Sequence, residues 1–114
     1  MSFKTIDVWL TPYFARWAEK AWTDEESRRF NEFIILHPNA GDIIPGTGGA
    51  RKVRWSAGGK GKRGGSRVIY YYSNGQSLIY LLMGYRKSDQ TDLSPQDRKR
   101  LKDALNQIKN TERN

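Results

Sequence analysis

Ser66-Arg67-Val68-Ile69-Tyr70-Tyr71-Tyr72, then Ser73-Asn74-Gly75-Gln76-Ser77, then Leu78-Ile79-Tyr80-Leu81-Leu82-Met83-Gly84-Tyr85 reads as strand, turn and strand. β-Branched and aromatic residues dominate the first arm and apolar residues the second, and Asn-Gly between two such runs is a strong two-residue hairpin signal. The second arm is almost wholly apolar, which predicts an interior strand buried on both faces. Upstream, Ala50 to Trp55 is a further short strand, and Gly58 to Gly65 is a basic, glycine-rich turn leading into the hairpin. Three consecutive strands of this kind make an antiparallel meander.

The flanks read differently. Phe3 to Leu10 alternates, with Ile6, Val8 and Leu10 on one face, and predicts a first strand. Thr11-Pro12 then supplies a cap and a first-turn proline for a helix carrying Tyr13, Phe14, Trp17, Ala18, Ala21 and Trp22. Thr23 followed by Glu26 is a capping box for a second helix, whose stripe is Phe30, Phe33 and Ile34. Pro38-Asn39-Ala40-Gly41 ends it, and Ile43 to Gly49 is a loop. Ser94-Pro95 opens a last helix that buries Leu101, Ala104, Leu105 and Ile108, with Thr111 to Asn114 expected to fray. The order strand, two helices, three strands, helix predicts an α+β class: one domain over residues 1–114, a small antiparallel sheet, and helices packed on one face.

A chain of 114 residues can build one core but not two. It contains no cysteine, which excludes a disulfide framework, a thiolate nucleophile and a cysteine zinc site, and a reducing cytoplasm is the expected compartment. No signal pattern and no apolar run of membrane-spanning length is present, so no membrane partner is expected.

Charge is distributed unevenly. Ile43 to Ser88 holds nine basic residues, Arg51, Lys52, Arg54, Lys60, Lys62, Arg63, Arg67, Arg86 and Lys87, and no acidic one. The chain has 20 basic and 12 acidic residues for a net charge of +8, so the remaining positions carry 11 basic against 12 acidic. A local field of one sign on a sheet suits a polyanion, most commonly nucleic acid.

Gly41-Asp42-Ile43-Ile44-Pro45-Gly46-Thr47-Gly48-Gly49-Ala50-Arg51-Lys52-Val53-Arg54-Trp55 and Gly61-Lys62-Arg63-Gly64-Gly65-Ser66-Arg67-Val68-Ile69-Tyr70-Tyr71-Tyr72 are distinctive runs. Together with Tyr85-Arg86-Lys87-Ser88 and Asp92-Leu93-Ser94, they resemble the RelE superfamily of bacterial toxins, and specifically its HigB-like branch. The resemblance covers nearly the whole chain. It implies a RelE-like fold and a toxin of a type II toxin–antitoxin system. Its expected activity is that of a ribosome-dependent endoribonuclease acting on messenger RNA (an mRNA interferase). Its expected partners are the ribosome, mRNA and a cognate antitoxin, usually one with a helix-turn-helix DNA-binding domain. Relatives of the ParE group instead poison DNA gyrase, and a non-catalytic nucleic-acid-binding module is the third reading.

RNA cleavage without a metal or other cofactor needs a group to take the 2′-hydroxyl proton, cations for the phosphoryl oxygens and a donor for the leaving 5′-oxygen. The basic stretch has no carboxylate, so Lys, Arg or Tyr must serve. Lys52 and Arg54 are two apart on a strand and share a face, while Arg67 and Lys87 lie at strand ends that pairing could bring alongside. By resemblance these four occupy the family's basic catalytic positions. Lys52 would exchange the 2′-hydroxyl proton, Arg67 would hold the phosphate oxyanions, and Arg54 and Lys87 would stabilise charge or protonate the leaving group. Lys60, Lys62 and Arg63 on the turn are candidates for docking on ribosomal RNA. Tyr71, which shares a face with Arg67 and Ile69, is a candidate for stacking a base. Some relatives carry a tyrosine after the last strand, where this chain reads Asp92-Leu93; Tyr85 and Tyr71 are candidate substitutes. Gly46-Thr47-Gly48-Gly49 lacks the spacing of a phosphate loop and reads as a tight connection. His37, at a helix end before proline, reads as a cap or a partly buried side chain and not as a catalytic base.

Overall fold

The computed structural model describes residues 5–56 and 65–113. The elements run β1 (Asp7–Leu10), α1 (Pro12–Ala21), α2 (Asp24–Leu36), β2 (Asp42–Ile43), β3 (Arg51–Trp55), β4 (Ser66–Ser73), β5 (Leu78–Arg86) and α3 (Pro95–Arg113). They form an α+β fold around one five-stranded sheet of order β1-β5-β4-β3-β2. The meander read from the sequence is its centre: β3 pairs antiparallel with β4, and β4 with β5.

The helix starts follow their local chemistry. Thr11 Oγ1 accepts from the Phe14 amide at 3.0 Å, and Pro12 follows at the first turn of α1. At α2 the box is complete: Thr23 Oγ1 accepts from the Glu26 amide and the Glu26 carboxylate accepts from the Thr23 amide. Ser94 and Asp97 form the same reciprocal pair at α3.

Several expectations are corrected. The sheet is mixed, because β1 runs parallel to β5 after the two-helix crossover, and β2 adds a two-residue antiparallel edge strand. The helices cover both faces and not one. α1 and α2 bury Phe14, Ala18, Phe30 and Ile34 against Val53, Val68, Tyr70, Ile79 and Leu81. α3 buries Leu101 and Leu105 against Ile69, Leu82, Met83 and Tyr85 on the opposite face, so the sheet divides the single core expected of this length into two. An irregularity at Ile69/Tyr70 lets consecutive Leu82 and Met83 serve that second core together. The Asn74-Gly75 turn is a 3-10 turn over Asn74–Gln76 with Ser77 left-handed at φ 54°, so the loop holds four residues between paired Ser73 and Leu78. α3 runs on to Arg113 where fraying was expected. Trp9 and Leu10 on the β1 edge are exposed, so Leu10 does not join Ile6 and Val8 in the core. The basic glycine-rich turn, with Lys60, Lys62 and Arg63, lies outside the described residues.

The connection before β3 is built by Thr47. Its hydroxyl donates to Ile44 O at 2.7 Å and accepts from the Ala50 amide at 3.1 Å, while the Ile44 amide donates to Ala50 O. Gly46 and Gly48 take φ of 80° and 87°, a region side chains rarely enter. Tyr70 anchors the same corner from below: its hydroxyl donates to Pro38 O and accepts from the Gly41 amide. These contacts fix where β3 begins, and so which of its residues face outward.

Candidate nucleic-acid interface

Alternation along β3 sorts its side chains. Val53 and Trp55 pack with Phe30 and Phe33 beneath the sheet, leaving Lys52 and Arg54 on the other face. Across the ladder Val53 registers with Val68, Lys52 with Ile69, and Arg54 with Arg67. Lys87 follows β5, and its amide donates to Gly65 O at 3.1 Å, which brings it beside the start of β4. Lys52, Arg54, Arg67 and Lys87 together line one cleft of about 560 Å3, with Phe33, Ala40, Asp42, Val53 and Thr91 as its other walls. The four cations expected to share a surface therefore do so.

Two carboxylates that the basic stretch does not contain reach this site. Asp42 registers opposite Lys52 on the short edge strand and lines the cleft. Asp92 stands 3.4 Å from Lys52 Nζ and 3.9 Å from Arg98. Its carboxylate also accepts the Leu93 amide at 2.7 Å. That amide bond first, and the Lys52 charge second, hold the Asp92 carboxyl below the ordinary carboxylate range. The expectation of a site without carboxylates is corrected. Asp42 sits one residue before the acid-free stretch, which hinted at its arrival. Asp92 comes from forty residues beyond Lys52, and no spacing rule links the two.

The tyrosines separate from the cleft. Tyr85 registers with Arg67 but is only 3% exposed, packed in the second core, and its hydroxyl has no hydrogen-bond partner. Burial pushes its phenol pKa up. A ring so enclosed offers no face to a base, which corrects the contact role expected of it. Tyr71 shares the Arg67 face as expected, but lies four residues on, about 13 Å along the strand. It stacks on Tyr80 with ring centres 6.3 Å apart, under the Lys109 ammonium at 5.8 Å. It borders a separate shallow depression with Asn39, Ile43, Gly49, Arg51, Tyr72 and Asn74. Arg51 and Arg86 are occupied in structure, donating to Gly41 O and Ala21 O respectively. His37 is the C-cap of α2, its ring against Phe33.

What the cleft can do follows from its groups. Arg54 and Arg67 present donor forks side by side, Lys52 and Lys87 add point charges, and only Lys52 of the four joins an ion pair among the described residues. Unpaired guanidinium groups in register suit the oxygens of a phosphodiester.

Comparison with known proteins identifies the family and the fold. Residues 6–114 match the profile of the family described as RelE toxin of RelE / RelB toxin-antitoxin system. An E. coli RelE toxin structure, a double arginine-to-alanine variant in the free state, superposes with a TM-score of 0.54 at 9% identity, covering 77% of this chain and 90% of that one. The intact E. coli RelBE toxin–antitoxin complex matches with a TM-score of 0.53 at 11% identity, covering 69% of this chain and 93% of that one.

Proposed function

This chain belongs to the RelE family of toxins, and on that premise we propose that it is a HigB-like, ribosome-dependent endoribonuclease that cuts messenger RNA and is neutralised by a cognate antitoxin. The observation that carries the reading is the cleft in which Lys52, Arg54, Arg67 and Lys87 converge, with Arg54 opposite Arg67. In the proposed reaction the 2′-oxygen attacks phosphorus and the bond from phosphorus to the 5′-oxygen breaks. The products are a 2′,3′-cyclic phosphate and a 5′-hydroxyl. Lys52 takes part in moving the 2′-hydroxyl proton, and the Arg67 guanidinium meets the charge that builds on the phosphoryl oxygens. Arg54 and Lys87 stabilise that charge or deliver the proton to the leaving oxygen. Asp92, held deprotonated, acts as the counter-charge that aims Lys52.

Dependence on the ribosome fits a site in which the Asp92 carboxylate is held in its charged form and so is a weak proton acceptor; the ribosome would then order the substrate and complete the site. Lys60, Lys62 and Arg63 supply docking contacts to ribosomal RNA in this reading. The antitoxin partner is proposed from the likeness to the RelBE complex, and a DNA-binding helix-turn-helix on it from the HigB-like motifs.

The test is a Lys52→Ala, Arg67→Ala double variant, expressed in cells and assayed for growth and for message cleavage on ribosomes. Growth arrest and cleavage should both be lost; full toxicity with unchanged cleavage would overturn the site. Double-strand DNA breaks with an SOS response would instead favour gyrase poisoning, and RNA binding without growth arrest would favour a plain binding module.

A further inference from the structure

We infer that the first two turns of α3 form a second phosphate-contact surface, in which Arg98, Lys99 and Lys102 hold the message strand beside the cleft. The inference rests on the ribonuclease reading above and extends its footprint from one linkage to several nucleotides.

Three observations carry it. First, the sequence Arg98-Lys99-Arg100-Leu101-Lys102 puts four cations in five residues, all four exposed. Leu101 and Leu105 point into the second core, so the helix orientation is fixed. Arg98 and Lys102 are four apart and Lys99 and Lys102 three apart, so the three are neighbours on the helix surface. Arg100 instead borders an apolar groove with Tyr13 and Leu82, outside this surface.

Second, these cations stand without partners that would explain them. Among the described residues Lys99 and Lys102 join no ion pair, and Arg98 meets only Asp92, at 3.9 Å. Asp97 is engaged in capping, accepting the Ser94 amide.

Third, the cluster is continuous with the cleft. Asp92 bridges Lys52 at 3.4 Å and Arg98 at 3.9 Å. The positive surface therefore runs from Lys87, Arg67 and Arg54 through Lys52 onto α3, with one carboxylate between. Arg98 lies close enough to Lys52 for both to meet the same strand within a nucleotide or two. That closeness assigns the surface to the message in the cleft, and not to a separate helix of ribosomal RNA.

The experiment compares wild-type protein with a Lys99→Gln, Lys102→Gln variant, chosen because neither lysine touches Asp92. Binding is measured across a salt series to a 2′-O-methyl single-stranded RNA of about ten nucleotides, a length within the range of single-strand binding sites, and to a 2′-O-methyl dinucleotide. The variant should bind the longer RNA more weakly. Its logarithmic salt slope should be shallower by about 1.4, from about 0.7 per lost phosphate contact. Dinucleotide binding should not change. Equal affinity and slope on the longer RNA would overturn the inference and leave the ribonuclease reading standing. Loss on the dinucleotide as well would also overturn it, since the effect would then act through the cleft. Failure of the wild type to bind the longer RNA would overturn this inference alone, since the ribosome-dependent reading does not require binding to free RNA.

Discussion

Arg54 on β3 and Arg67 on β4 stand directly opposite each other in the ladder, and neither joins an ion pair among the described residues. Like charges in that position cost about 0.2–1 kcal/mol of sheet stability. The arrangement is poor for folding and good for gripping an anion between two guanidinium forks. Arg67→Gln should therefore leave the unfolding midpoint unchanged or raise it by a few degrees, while cutting message cleavage by about a hundredfold or more. Thermal unfolding and a ribosome cleavage assay on the same preparation check this. A variant that lost stability and activity in parallel would show Arg67 to be structural.

Tyr85 carries a buried hydroxyl with no partner. An unsatisfied buried polar group costs about 1–3 kcal/mol, so removing it is close to free or favourable. Tyr85→Phe should keep the stability of the wild type or gain about 1 kcal/mol, measured by denaturant unfolding at unchanged m-value. A clear loss of stability would mean that the hydroxyl has a partner after all.

Sequence and structure diverge in an instructive way. The convergence of Lys52, Arg54 and Arg67 was legible, because strand alternation fixes faces and a meander fixes neighbours. The capping box at Thr23 and Glu26 was legible because its contacts are three residues apart. The two-sided packing was missed. A helical stripe such as Leu101, Leu105 and Ile108 says that a helix is buried, but not against which face. Yet the unbroken apolar run Leu78 to Tyr85 already required cover on both faces, and the last helix was the element left to supply it. The parallel pairing of β1 with β5 depends on how the α1–α2 pair crosses over, which no local pattern encodes. Asp92 escaped for a similar reason: its approach to Lys52 is set by the turn after β5 and the start of α3.

Gly84 shows how closely α1 sits on the sheet. A Cβ placed there would lie 2.4 Å from the Trp17 ring. Its backbone needs no special conformation, so the constraint is space alone. Gly84→Ala should destabilise the fold by about 1–3 kcal/mol through overpacking. Calorimetry on Gly84→Ala, and on that change combined with Trp17→Leu, checks the cause. The smaller side chain should recover part of the loss, and an equal loss in both backgrounds would remove the steric account.

Asp92 sets a pH dependence whose sign can be worked out. The Leu93 amide, and after it the Lys52 charge, lower its folded pKa below the unfolded carboxyl value of about 3.9. The folded state thus binds the proton less readily than the unfolded one. Its contribution is fully present above the unfolded value and is lost as pH falls through the lower folded value. The side chain is 55% exposed, so solvent screens the effect, and salt should shrink it further. Unfolding of wild type and Asp92→Asn should therefore differ by a constant amount from neutral pH down to about pH 4–5, with the gap closing in stronger acid. A carbon-detected NMR titration of the Asp92 carboxyl should give a midpoint below the ordinary carboxyl value of about 3.9. A midpoint at or above it would mean that Lys52 and the Leu93 amide do not hold the carboxylate in solution, and that Lys52 enters the cleft unpaired.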